Sequence, residues 1–369
     1  MLKTLFILFF LAFTLHSVSS TEYHSDHGPR DTPIITRIPK VYDINLDASY
    51  QERWAQIIDD FYPQFQAFLA QLNISDHSQK LLSLLDKFDY PIMEVYNKEY
   101  AREVKAIAEY ANISFTEAIV LNFIYDISAQ CTSLVVQDPQ GNVFHGRNLD
   151  FPYAPELSNM LFHGRFWRDG KILYEAISLA GYLGVITGMK PGAYSFSIDD
   201  YSIPGEATRI ENITDVVFGL AQLLRRKLSP TYVVRKGFET IDDYDGFVEY
   251  LKETDTLSRA FYIVAGVKPG QGTVITKFRN RVQNQTSLSD EKGRWHVVQS
   301  NYRGDIPDPA DDNRATAARD FLNAIGVDKI NHQNLFDDVM SVYPLFNNET
   351  IHTSIMQPST AYFNTTIWW

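Results

Sequence analysis

A chain of 369 residues with a formal charge of −12 and a pI near 5.2 offers nucleic acid no basic surface, which excludes that partner. The length suffices to bury a large core without covalent staples, and the single cysteine permits no disulfide within the chain. No metal-ligand set and no glycine-rich phosphate loop stands out, so neither metal nor cofactor is expected. Gly181, Gly184, Gly188 and Gly192 read as strand kinks and turns.

Residues 1–20, MLKTLFILFFLAFTLHSVSS, read as a signal peptide: Lys3 gives a positive start, Leu5 to Leu15 an apolar stretch, and Val18-Ser19-Ser20 a small-residue cleavage pattern. The apolar stretch falls short of the ~20 residues a membrane span needs, and no later candidate follows. Asn73, Asn112, Asn212, Asn284, Asn348 and Asn364 each open an N-x-S/T triplet and are candidate glycosylation sites of a lumenal or secreted protein. An acidic lumen suits so many carboxylates.

Residues 21–37 are polar and proline-punctuated and read as an extended lead-in. From about Tyr50 to Ala129 the pattern is helical. Trp54, Ile57, Ile58, Phe61, Phe65, Phe68, Leu69 and Leu72 recur near a 3.6-residue period, KEYAREVKAIAEYANIS continues the style, and Ser114-x-x-Glu117 is a capping box ahead of an apolar run. At Cys131 the texture changes. LVV, VFHG, YEAISLAGYLGVI, AYSFSI, AFYIVAG, GTVITKF and RWHVVQS are short, β-branched or aromatic, and separated by turn residues. ITDVVFGLAQLLRRKL and YDGFVEYLKETD interrupt them as helices. The class is therefore α+β, with a helical first third and a boundary at the cysteine.

Asp138-Pro139-Gln140-Gly141 carries the preferences of a type I turn. Closing a hairpin with this four-residue loop pairs Gln137 with Asn142, Val135 with Phe144 and Cys131 with Asn148. Cys131, Arg147, Asn148 and Asp150 then gather at the open end. In that register Arg147 faces away from Cys131, and a bulge at Gly146 would bring it round. A thiol beside a guanidinium gains nucleophilic thiolate. A lone cysteine is also commonly a small buried hydrophobe, and Arg147 and Asp150 can form a structural ion pair. The papain and caspase local patterns are absent.

CTSLVVQDPQGNVFHGRNLDFP resembles the start of the β-subunit in the family of N-acylethanolamine acid amidase and acid ceramidase, N-terminal nucleophile hydrolases of the choloylglycine-hydrolase-like group. The resemblance extends through AGYLGVITGMKPGAYSFSIDD, FYIVAG, GTVIT and VVQSNYRGD…DDNRATAA, and the stretch at residues 37–47 matches in layout. It implies a four-layer αββα sandwich with the helical α-subunit packed against it. It implies self-cleavage between Gln130 and Cys131, so that after the signal peptide, residues 1–20, the chain divides into an α-subunit, 21–130, and a catalytic β-subunit, 131–369, of a heterodimer. The freed amine of Cys131 then serves its own thiol as base.

Matched residue by residue, the resemblance assigns Arg147 and Asp150 to orienting and polarising the nucleophile, and Asn301 to an oxyanion-hole hydrogen bond. Where relatives carry two arginines after the paired aspartates, this chain has Asn313-Arg314, and Arg314 is carried over. The implied substrates are fatty-acid amides cleaved in a lysosome, with secretion a second address. GRNLDFP and the missing cysteines favour the amidase form, with acid ceramidase and a processed, inactive lipid-binding relative as alternatives. Residues 61–72 and 219–228 could touch a membrane or micelle, although core helices explain the same patterns, and Trp368-Trp369 reads as an interfacial anchor or a loose tail.

Overall fold

The structure is a computed structural model that describes residues 28–31, 33–71, 94, 98–122, 130–151, 153–202, 228–304, 308–309 and 312–369. Residues 1–20, read above as a signal peptide, together with Asn73, Asn212 and all but the last residue of the 219–228 segment lie outside the described residues.

Two sheets stack face to face. One has five strands in the order β11 (His296–Gln299), β2 (Gln130–Gln137), β3 (Val143–Asp150), β12 (Thr350–Gln357) and β13 (Tyr362–Ile367). The other has eight: β1 (Lys40–Asn45), β4 (Leu161–Arg168), β5 (Lys171–Leu179), β6 (Thr187–Lys190), β7 (Tyr194–Asp200), β8 (Ala260–Gly266), β9 (Gly272–Phe278) and β10 (Arg281–Ser287). Helices α1 (Tyr50–Gln71), α2 (Lys98–Ala111), α3 (Phe115–Asn122), α4 (Ala154–Ser158), α5 (Pro230–Thr240) and α6 (Tyr244–Glu253) join the apolar cluster on the outer face of the large sheet. Helix α7 (Arg314–Ile325) and a π-helical segment, Leu335–Met340, cover the outer face of the small one. This is the α+β class read from the sequence and the four-layer sandwich that the resemblance implies.

Strand alternation sorts the layers. In β2, Leu134 and Val136 pack toward α7, whereas Val135 packs between the sheets with Phe261, Ile263 and Val297. In β7, Tyr194, Phe196 and Ile198 face the helices with Phe238 and Phe247, leaving Ser195, Ser197 and Asp199 on the inner face. The helical first third is more than a wrapper. Its β1 pairs parallel with β4, and Glu103 of α2 is buried between Arg53 of α1 and Arg235 of α5, at 2.6 and 2.9 Å. Ser114 and Glu117 form the expected capping box, each side chain bonding the other's backbone N–H, at 3.1 and 2.8 Å.

The β2–β3 hairpin departs from expectation by one residue. Gly141 N donates to Asp138 O at 3.0 Å, closing the type I turn, and Asp138 N donates to Asn142 O at 3.0 Å. Gly141 itself takes a left-handed φ of 84°. The loop is thus three residues, a type I turn followed by a left-handed glycine, and not four. Gln137 pairs with Val143, Ser133 with Arg147 and Cys131 with Leu149, without a register shift. A one-residue slip moves every side chain to the other face, so Arg147 shares the face of Cys131 with no bulge at Gly146.

Phe65 and Phe68 of α1 are core residues, 1 % exposed each, as the core-helix reading of residues 61–72 has it. One further expectation changes. The terminal tryptophans are docked: Trp368 Nε1 donates to Thr353 Oγ1 at 2.8 Å, Trp369 Nε1 to Thr350 O at 3.1 Å, and Arg30 sits over the Trp369 ring.

Candidate active site

Cys131 is fully buried at the start of β2, on the face between the sheets. Arg147 Nη2 donates to its sulfur at 2.8 Å. The same guanidinium donates through Nη1 to Ser133 Oγ, at 3.1 Å, and to Asp199 Oδ1 in a very short contact across the gap from β7. A cation held against sulfur favours the thiolate over the thiol.

The backbone of Cys131 is gripped from the other side. Its N–H donates to Asn301 Oδ1 at 2.8 Å, and its carbonyl oxygen accepts from Arg314 Nη1 at 3.0 Å. Arg314 opens α7 and acts as a hub. Nη1 also reaches Asp150 Oδ2 at 2.9 Å, Nη2 reaches Asn301 Oδ1 at 2.9 Å, and Asp312 takes Nε and Nη2 in a fork at 2.8 and 2.6 Å. Nη2 also lies 3.3 Å from Gln130 Oε1. Asp150 is completed by Thr350 Oγ1 at 2.7 Å and Asn347 Nδ2 at 3.2 Å.

The five residues assigned from the sequence therefore meet around one peptide unit, but in different pairs. The Arg147–Asp150 pair expected from their nearness in sequence does not form. These residues differ by an odd number of positions along β3, so their side chains leave on opposite faces. Arg147 pairs with Asp199, and Asp150 pairs with Arg314. Asn301 Oδ1 faces two donors, Cys131 N and Arg314 Nη2, while Nδ2 donates to Asp200 O at 3.1 Å. Its side chain thus accepts from the backbone nitrogen of Cys131.

Asp199 and Asp312 went unassigned in the sequence. The alternation of SFSIDD, aromatic or aliphatic on one face and serine or aspartate on the other, signals a buried polar stripe but names no partner.

The electrostatics follow from burial and pairing. Burial pushes Asp199 up to about 6, against the pull of Arg147, the Ser133 hydrogen bond and Arg314. Burial pulls Arg314 down, but Asp312, Asp150 and Cys131 outweigh it and hold the guanidinium above the ordinary arginine value. His145 and His352 are held down to about 3, by burial first and by Arg147 second.

A family model described as linear amide C–N hydrolases of the choloylglycine hydrolase family matches residues 131–294, beginning at Cys131. Another, described as the beta subunit of N-acylethanolamine-hydrolyzing acid amidase, matches residues 37–89. The chain is 31 % identical over 319 residues to N-acylethanolamine-hydrolyzing acid amidase of Rattus norvegicus, covering 86 % of this chain and 85 % of that one. It is 30 % identical over 345 residues to acid ceramidase of Pan troglodytes, covering 88 % and 85 %. A solved structure of the Caenorhabditis elegans N-acylethanolamine-hydrolyzing acid amidase ortholog superposes with a TM-score of 0.56 at 28 % identity, over 64 % of this chain and 99 % of that one. With a buried thiol on an arginine, on a sandwich shared with that structure, the chain belongs to the family of N-acylethanolamine-hydrolyzing acid amidase and acid ceramidase, linear-amide hydrolases of the N-terminal nucleophile type.

Proposed function

We propose that the chain is a lysosomal fatty-acid amidase that cuts itself between Gln130 and Cys131 and then hydrolyses N-acylethanolamines at acid pH. The observation that carries this reading is the grip on the Cys131 peptide unit: sulfur on Arg147, nitrogen on Asn301 and carbonyl on Arg314. Such fixation serves a residue that must react at its own backbone.

Self-cleavage begins when Cys131 Sγ adds to the Gln130 carbonyl carbon. The C–N bond then breaks, nitrogen takes a proton, and a thioester remains. Water hydrolyses the thioester, leaving the Gln130 carboxylate and returning the thiol. The new α-amino group inherits the hydrogen bond to Asn301 and sits one residue's reach from its own sulfur. It takes the thiol proton as base when Sγ attacks the amide of a substrate. Arg147 holds the developing thiolate. The amine leaves with a proton, and water releases the fatty acid from the acyl-enzyme.

Two features support the cut halves staying together as an α/β heterodimer. One is the β1–β4 pairing across the two segments; the other is the buried Arg53–Glu103–Arg235 cluster, in which Glu103 from the first segment meets Arg235 from the second. Removing Arg235 would leave Glu103 with less compensation in a dry site, which costs about 3–5 kcal/mol. Passage through the secretory pathway would place glycans on Asn112, Asn284 and Asn364, which are exposed, and less readily on half-buried Asn348. Among the described residues no helix is long and apolar enough to cross a membrane, and lipid delivery would be peripheral.

Acid ceramidase activity is the second reading, because ceramidases match at nearly the same identity and coverage as amidases. Incubation at pH about 5 with palmitoylethanolamide and with ceramide, reading released fatty acid, separates the two. Release from the ethanolamide, lost in the Cys131→Ala variant, is the expected result. Release from ceramide alone would support the second reading. A processed sample that releases nothing from either would make the chain a lipid binder and overturn the proposal.

A further inference from the structure

Behind Arg147 lies a buried hydrogen-bond chain that neither self-cleavage nor turnover draws on. His145 Nδ1 and Nε2 meet Ser195 Oγ and Ser197 Oγ at 3.0 and 2.8 Å. Ser197 Oγ donates to Ser133 Oγ at 2.8 Å, and Ser133 Oγ donates to Asp199 Oδ1 at 2.7 Å. Arg147 Nη1 donates to that same oxygen. His145, Ser195, Ser197, Ser133, Asp199 and Arg147 are each 0 % exposed. The arrangement is lopsided: among the described residues every bond to Asp199 falls on Oδ1, while Oδ2 is buried with no hydrogen-bond partner. A buried anionic oxygen without a donor is costly, and protonation on Oδ2 removes that cost while leaving Oδ1 to accept from Arg147 and Ser133.

We propose that Asp199 is a positioning residue that sets how much positive charge Arg147 presents to Cys131, and that its uptake of a proton makes self-cleavage and turnover acid-dependent. This rests on Cys131 being the nucleophile. With Asp199 ionised, its charge cancels that of Arg147 and the sulfur meets a dipole. With Asp199 protonated, the guanidinium stays in place and its full charge acts on the sulfur. The proton comes from solvent and no bond other than O–H forms.

The groups around Asp199 are consistent with this. Burial brings its titration to about 6, between a neutral compartment and an acidic one. From β3 and β12, His145 and His352 are held down to about 3 and stay neutral across that interval. From β2 it meets Ser133, and from α7 it feels Arg314, whose charge is balanced by Asp150 and Asp312. Arg147 remains the cation that Asp199 directly controls.

The test follows conversion of full-length precursor to two bands at pH about 4.5 and about 7.5 in wild type, Asp199→Asn, Asp199→Ala and Cys131→Ala. Wild type is expected to convert at least ~10-fold faster at the lower pH. Asp199→Asn, which keeps an acceptor but never a charge, is expected to convert at similar rates at both. Asp199→Ala, without the anchor, is expected to be slow at both. An Asp199→Asn variant that retains the wild-type pH dependence overturns the proposal, as does wild type converting faster at neutral pH. Wild type that never converts, like Cys131→Ala, defeats the nucleophile assignment instead. Should the variants not fold, alkylation of Cys131 by iodoacetamide in processed wild type supplies the answer. A rate that falls between pH about 7.5 and about 5.5 by clearly less than the ~100-fold of an isolated thiol is expected, and the full ~10-fold fall per pH unit overturns the proposal.

Discussion

Arg147 reaches the sulfur of Cys131 from two rungs up the facing strand, and the left-handed Gly141 at the far end of the hairpin determines that it can. Inserting one residue into the Pro139–Gly141 loop makes the loop even and slips the register. Arg147 would then face α7, and self-cleavage is expected to stop while the chain still folds, which a denaturing gel and circular dichroism check together. Gly141→Val asks less: its Cβ would meet Pro269 Cγ at 2.6 Å in a left-handed conformation. A loss of about 1–3 kcal/mol in urea unfolding is expected, with cleavage retained.

Arg147 spreads two separate nitrogens over the Cys131 sulfur, Ser133 and Asp199, a planar fork that the single ammonium of a lysine does not match. Arg147→Lys is expected to keep either the sulfur or Asp199 and to slow cleavage on the order of 10²-fold. Arg147→Ala leaves Asp199 buried and uncompensated at neutral pH, at a cost of about 3–5 kcal/mol by denaturant titration. If the two variants lose rate and stability equally, the division of labour assigned to the guanidinium is wrong.

Asn301 holds the nitrogen of Cys131 and is itself held by Arg314. Asn301→Ala is expected to lower single-turnover cleavage on the order of 10²–10³-fold, the scale of losing one preorganised contact to a reacting group. Arg314→Met should unfold the site instead, because Asp150 and Asp312 would share no cation. A drop of about 3–5 kcal/mol, read by urea melting, separates the two roles.

Stability should respond to acid through buried histidines. His145 and His352 are held down to about 3, so between ~6.5 and about 3 the unfolded chain binds protons the native chain refuses. Stability therefore falls as pH falls through that window, by about 1.4 kcal/mol per pH unit for each histidine. Asp199 works in the opposite sense. Its folded value of about 6 stands above the unfolded ~3.9, so its contribution grows as pH falls between them. Two against one leaves a net loss. His352→Asn, which keeps an acceptor for Ser354, is expected to flatten the slope of unfolding free energy between pH about 6 and about 4 by one histidine's share.

The layout was legible where local chemistry decides it. The capping box at Ser114, the amphipathic period of α1 and the turn at Asp138 all appear as read, and so does the switch to strands at Cys131. Edge strand β10 was not, because RVQNQTS is polar along its length and carries no alternation to read. Strand β12 was missed for the opposite reason: it is buried on both faces, so its residues do not alternate in exposure. The residues that gather around Cys131 were legible by type, but their pairing was not. Which carboxylate meets Arg147 depends on hairpin register at one end and on β7, 52 positions away, at the other. Asp150 is near in sequence and on the wrong face, and only sheet stacking brings Asp199 into reach.

N-terminal sequencing of purified protein with measured fatty-acid release, taken before and after incubation at pH about 4.5, decides whether the thiol works from a new chain end. Activity should appear together with a polypeptide beginning CTSLVV, from Cys131 onward. Full activity in material where no chain starts at Cys131 would contradict it.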